Sequence, residues 1–198
     1  MSVSTEPQGT KPQSRSAIFN LPNQLTISRL ALAIVLFGLI TYQYWLTSLV
    51  VFVVASATDW LDGYFARKYG LVTVLGRILD PFVDKIIICG AFTCLVAEPR
   101  SGIAGWMAVV VVGRELLITA LRGFLEQQGA DFSAAMSGKL KMVAQCFAAG
   151  VSLFSLSYAA GSEPEWLRYL LPICVWSALA LTVYSGVEYV RRAVQLVG

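Results

Sequence analysis

Histidine is absent from all 198 residues, and charge is scarce, with 15 Lys and Arg and 12 Asp and Glu making up 14% of the chain. The missing imidazole excludes a phosphohistidine intermediate and a histidine-ligated metal, so any metal site must be built from oxygen ligands. A soluble domain of this length carries about 25% charged residues, so the deficit, with 57% hydrophobic residues, points to lipid as the solvent. A net charge of +3 is too small to argue for a nucleic-acid partner. The only cysteines, Cys89, Cys94, Cys146 and Cys174, sit in apolar stretches at spacings that fit no CxxC metal motif and read as free buried thiols. Residues 1–16 contain two prolines and no apolar run, which excludes a secretory signal and leaves the expectation of a disordered polar tail before a single domain over 17–198.

What is abundant is long apolar sequence. Six segments reach the ~20 residues that a bilayer-crossing helix needs: 24–43, 46–66, 78–98, 103–122, 140–160 and 167–190. The expected fold is therefore an all-α integral membrane protein of six transmembrane helices. Of the 15 basic residues only Arg100 and Arg168 fall at one end of that arrangement, so the positive-inside rule puts both termini and the other end in the cytoplasm. No internal repeat is visible.

Two of the six segments are compromised. The second is cleanly apolar from Leu49 to Ala57 and then meets Asp59 and Asp62; the third starts with Asp80 and Asp84 and turns apolar only from Ile86. A carboxylate near the centre of a membrane helix costs about 2.5–3.5 kcal/mol on insertion scales, so such residues mark function. Asp59 and Asp62 share a helical face ~4.5 Å apart along the axis, and Asp80 and Asp84, four apart, share a face of the next helix. Packed antiparallel through the 67–77 connection, the two helices bring all four carboxylates together in a polar cavity facing the cytoplasm. Two carboxylates ~4 Å apart repel by about 4 kcal/mol at an effective dielectric of 20. Without histidine or thiolate nearby, hard divalent cations answer that repulsion, with Mg²⁺ favoured over Mn²⁺ and a two-ion site the natural form. The plainer alternative is interfacial salt bridging to Arg67, Lys68, Arg77 and Lys85, which four acids at helical spacing disfavour. An aspartate-lined ion transporter is a rival of another class, but it predicts acids spread through the membrane depth.

Between the acids, Gly63 and Ala66 leave room for a base or diphosphate to approach the backbone, unless they serve only close helix packing. Arg67 offers a forked phosphate donor, and Gly76 opens the next segment. The whole run, Asp59-x-x-Asp62-Gly63-x-x-Ala66-Arg67, eight residues, Gly76-x-x-x-Asp80-x-x-x-Asp84, resembles the signature of the CDP-alcohol phosphotransferase family at every position. The resemblance implies Asp59, Asp62, Asp80 and Asp84 as metal ligands, Asp84 also as the base toward an acceptor hydroxyl, and Gly63, Arg67 and Thr73 as contacts to a CDP-linked lipid. It also implies a homodimer.

Two further segments resemble the phosphatidylglycerophosphate synthases of that family: Asn20-Leu-Pro22-Asn23-Gln-Leu25-Thr26-Ile-Ser-Arg29, and Arg114-Glu115-Leu-Leu-Ile-Thr119-Ala-Leu-Arg122 with Ser137-Gly138-Lys139-Leu-Lys141. Met142 departs from the threonine usual there. This resemblance implies transfer of a phosphatidyl group from CDP-diacylglycerol to glycerol-3-phosphate in a bacterial cytoplasmic membrane, with Asn23 joining the CDP-lipid contacts. Read physically, Arg114, Arg122, Lys139 and Lys141 form a basic set beside the aspartates, suited to a phosphate on the acceptor alcohol. Pairing of Arg114 with the adjacent glutamate, and a mere anchoring role for the two lysines, remain open. So do an inositol phosphate or phosphatidylglycerol as acceptor.

Overall fold

The computed structural model describes residues 21–69, 74–127 and 136–197; at 21–26, 59–69, 74–81, 84, 126 and 197 it describes the backbone alone. The polar tail expected at 1–16 lies outside the described residues. Within them there are six α-helices and no strand: α1 Leu21–Thr41, α2 Trp45–Tyr69, α3 Val74–Leu95, α4 Gly105–Gln127, α5 Met136–Leu156 and α6 Glu165–Val197, with a 3-10 turn at Pro99–Ser101. Number and order match the six apolar segments of the sequence. Two helices are apolar over a length sufficient to cross a bilayer, α5 and residues Glu165–Leu196 of α6. Among the described residues, shorter apolar stretches cover Ile27–Thr41, Trp45–Thr58 and Lys85–Leu95. Helix α4 carries Arg114, Glu115, Thr119 and Arg122 within an otherwise apolar run and ends on Glu126 and Gln127.

Small side chains set the helix crossings. Ala33, Ala55, Ala91, Ala148, Ala149 and Ala178 have no exposed surface at all, and they seat Leu36, Phe92, Leu95 and Leu153 in one core shared by all six helices. Where α1 crosses α3, a β-carbon on Gly90 would come within 2.1 Å of the Phe37 ring, so the contact requires glycine. Several polar groups buried between helices pair locally: Gln145 Nε2 donates to Thr182 Oγ1 at 2.9 Å, Thr182 donates to Ala178 O, and Ser152 Oγ donates to Ser101 O. The outside is apolar instead, with Val109, Phe147 and Ile173 each more than 60% exposed. Large apolar side chains on the outer helix faces suit contact with hydrocarbon, where close van der Waals fit replaces the hydrophobic effect between helices.

The loops at the Arg100 end are tied together. Arg100 Nη2 donates to Tyr158 O at 2.8 Å and to Glu163 Oε1 at 2.6 Å, linking the α3–α4 and α5–α6 connections. The backbone around Glu163 and the Arg100 guanidinium hold that carboxyl below its ordinary range, so the tie is present above that range and lost on acidification.

Helix α1 ends in a Schellman motif: Tyr44 N–H donates to Leu39 O and Gln43 N–H to Ile40 O, with Gln43 in the left-handed region at φ 62°. A residue with a β-carbon is strained there and glycine is not. Gln43→Gly is expected to stabilise the protein by about 0.5–1 kcal/mol, after allowing for glycine's greater freedom in the unfolded chain. A thermal melt in detergent checks this; an unchanged or lowered Tm contradicts it.

Candidate active site

The best-defined polar cluster is built around one carboxylate. Glu115 lies midway along α4 and is 3% exposed. Three cations from three helices converge on it. Lys85 Nζ of α3 reaches Oε2 at 3.1 Å, Arg114 Nη1 of α4 itself reaches Oε1 at 3.2 Å and Oε2 at 3.4 Å, and Lys141 Nζ of α5 donates to Oε1. Lys141 is itself buried at 5% exposure. Helix α6 closes the back of the cluster. The Arg114 guanidinium lies 5.5 Å from the centre of the Tyr189 ring, and its stem runs against Gly186. Gly138, in the segment before Lys141, packs closely on α6, where a β-carbon would sit 3.1 Å from the Tyr189 hydroxyl. Charges this deep are costly unless paired, and removing one partner of a buried pair typically costs 3–5 kcal/mol.

Of the four basic residues expected to bind an acceptor phosphate, the structure thus brings Arg114 and Lys141 together on a shared carboxylate. The pairing of Arg114 with its neighbouring acid, left open by the sequence, is present. Arg122 lies two turns along α4, ~12 Å away on the axis. Its Nε is buried and finds no hydrogen-bond acceptor among the described residues. Lys139 is exposed, on a different face of α5 from Lys141. Arg29 of α1 is buried, at 3% exposure.

The aspartates lie on helical backbone, Asp59 and Asp62 in the C-terminal half of α2 and Asp80 and Asp84 in α3, so the three- and four-residue spacings are those of a helix. Helices α2 and α3 are in contact. Gly63, Ala66, Arg67 and Gly76 are on the same stretches, and Asn23 is in the first turn of α1. For all of these the described structure stops at the backbone, and Thr73 lies outside the described residues. The donor set suits a hard divalent ion, being all carboxylate and free of imidazole. Among residues with described side chains there is no group of three or more that could hold a metal. The four cysteines are free thiols.

Sequence reasoning gave no site role to three residues of the cluster: Glu115, weighed only as a partner of Arg114, Lys85, weighed only as a partner of the aspartates, and Tyr189. The signal for Glu115 was present, since it is a carboxylate in the middle of an otherwise apolar helix, the feature that singled out the aspartates. Lys85 and Tyr189 carry no such signal, because only the packing of α3 and α6 against α4 gives them a role.

Six helices, an acidic pair on each of α2 and α3, and a cationic cluster drawn from α3, α4 and α5 are the features to be set beside known proteins. The sequence profile of the CDP-alcohol phosphatidyltransferases matches residues 19–184, and the chain belongs to that family. Within it, the chain is 35% identical to the CDP-diacylglycerol–glycerol-3-phosphate 3-phosphatidyltransferase of Bacillus subtilis, over 88% of this chain and 95% of that protein. Proteins of the same name from Rickettsia bellii and Haemophilus influenzae are each 33% identical, over 87% and 88% of this chain and 94% of their own lengths.

Proposed function

We propose that the protein transfers the phosphatidyl group of CDP-diacylglycerol to glycerol-3-phosphate, giving phosphatidylglycerophosphate and CMP. The observation that carries this is the set of three cations around Glu115, two of them buried, on α3, α4 and α5, with the four aspartates on α2 and α3. An acceptor that brings its own phosphate needs such a site; an uncharged alcohol does not. The same reading includes six membrane spans around a cavity open to the cytoplasm, both termini on that side, a bacterial cytoplasmic membrane, and a homodimer. The apolar exterior supports the spans, the clustering of basic residues at one end supports the cytoplasmic side, and the relatives from bacteria support a bacterial membrane.

In this mechanism Asp59, Asp62, Asp80 and Asp84 hold one or two Mg²⁺ or Mn²⁺ ions, which when bound supply neutralising charge to the diphosphate. Gly63, Ala66 and Gly76 admit the CDP moiety close to the backbone, and Arg67, Asn23 and Thr73 orient it. Arg114, Arg122, Lys139 and Lys141 take the acceptor's phosphate. Asp84 accepts the proton of the acceptor hydroxyl as its oxygen bonds to the lipid-side phosphorus. The bond from that phosphorus to the bridging oxygen breaks, and CMP leaves with the electron pair. No covalent intermediate on the enzyme is required.

Metal removal tests the carboxylate site. Exhaustive chelation is expected to abolish CMP release from CDP-diacylglycerol, and Mg²⁺ or Mn²⁺ to restore it. Full turnover after chelation and buffer exchange contradicts the metal-binding role of the aspartates.

A further inference from the structure

Three cations share the two oxygens of Glu115, the one carboxylate described in the cluster. Among the residues with described side chains that carboxylate faces three cations, and two of them are buried: the side chains of Arg114 and Lys141 are 9% and 6% exposed. If the acceptor phosphate docks on these two residues, it needs the same N–H groups that Glu115 occupies. We propose that Glu115 is an internal counter-anion, which holds Arg114 and Lys141 in place while the acceptor site is empty and competes with the acceptor's phosphate for them. The proposal rests on the function proposed above for its choice of anion.

The physical argument has two halves. Without any anion, Lys85, Arg114 and Lys141 would face one another unscreened in a site of low dielectric, and breaking such buried pairs is strongly destabilising. With Glu115 present, a docked phosphate must draw donors away from the carboxylate and sits beside a like charge, which weakens its binding. Glu115 is therefore a positioning residue whose charge sets the balance between a stable empty site and release of a phosphorylated ligand. A residue that only cemented helices would influence stability without any dependence on anions.

The test uses the full chain purified in detergent. Glu115→Gln keeps the shape and removes the charge. Its Tm without phosphate is expected to fall below that of the wild type, and inorganic phosphate is expected to raise it by more than it raises the wild type. The KM for glycerol-3-phosphate is expected to drop about 5- to 10-fold, since a repelling unit charge has gone, while kcat falls because the anion settles toward the vacated carboxylate position. Glu115→Asp, which retains the charge, should keep KM within about 3-fold of wild type. A raised or unchanged KM in Glu115→Gln, or an equal phosphate-induced shift in both proteins, overturns the proposal. So does a Glu115→Gln protein that cannot be recovered folded even when purified in phosphate. Should the wild type fail to use glycerol-3-phosphate, the proposed function falls, and the phosphate-dependent melting still decides the counter-anion role.

Discussion

Replacement of Asp84 by asparagine is expected to lower turnover by about 10²–10⁴-fold, the usual contribution of a general base, while binding of CDP-diacylglycerol is largely retained. The amide fills the same space and still offers a carbonyl oxygen to a cation, but it cannot take the proton from the acceptor hydroxyl. Asp59→Asn differs: with no base role to lose, its defect is that of a weakened ligand set, and both lipid binding and turnover should suffer. The contrast between the two variants carries the weight, because removal of carboxylate charge is common to both. CMP release gives kcat, and competition with a CDP-lipid analogue gives binding. An Asp84→Asn enzyme that keeps more than about a tenth of the wild-type rate does not have a base at that position.

Arg122→Ala is expected to cost about 10- to 150-fold in kcat/KM for glycerol-3-phosphate, corresponding to the ~1.5–3 kcal/mol of a charge-assisted hydrogen bond. The KM for CDP-diacylglycerol should change little. Arg122 is the strongest candidate of the basic set because Glu115 does not engage it. Arg114 and Lys141 are bound to that carboxylate, Lys139 is exposed, and Arg122 has a buried Nε with no acceptor among the described residues. A buried donor without a partner is costly and calls for one. Arg122→Lys should recover only part of the loss, since an ammonium cannot reproduce the planar fork on phosphate oxygens. Unchanged acceptor kinetics in Arg122→Ala would remove it from the site.

The helix count and order were legible in the sequence because membrane helices announce themselves by length and apolarity alone. Their ends were not. The sixth apolar segment stops at 190, yet α6 continues to Val197, carried by the Glu188–Arg192 ion pair at 2.6 Å and by Tyr189 and Ala193 packing on Ile118 and Leu125 of α4. For the same reason α4 reaches Gln127 beyond the apolar limit at 122. Hydropathy marks the part of a helix that lipid covers, whereas protein packing and side-chain pairing decide where the helix stops. The aspartate signature was legible because it is a one-dimensional pattern on two consecutive helices. The Glu115 cluster was only half legible: two of its three cations, Arg114 and Lys141, were expected to act together, but the way one carboxylate engages Arg114, Lys141 and Lys85 depends on how α3, α4 and α5 meet. Lys139 and Lys141, two residues apart, read alike in sequence, yet one is exposed and the other buried. On a helix a two-residue step turns a side chain well over a third of the way around the axis.

The most direct test of the account is an acceptor comparison with the purified wild-type protein, Mg²⁺ and CDP-diacylglycerol, following CMP release. Glycerol-3-phosphate is expected to support turnover, with free glycerol a very poor substitute, because the buried cations are matched to a phosphate and not to a hydroxyl. Equal rates with glycerol and glycerol-3-phosphate, or CMP release only with an inositol phosphate or phosphatidylglycerol, would contradict it.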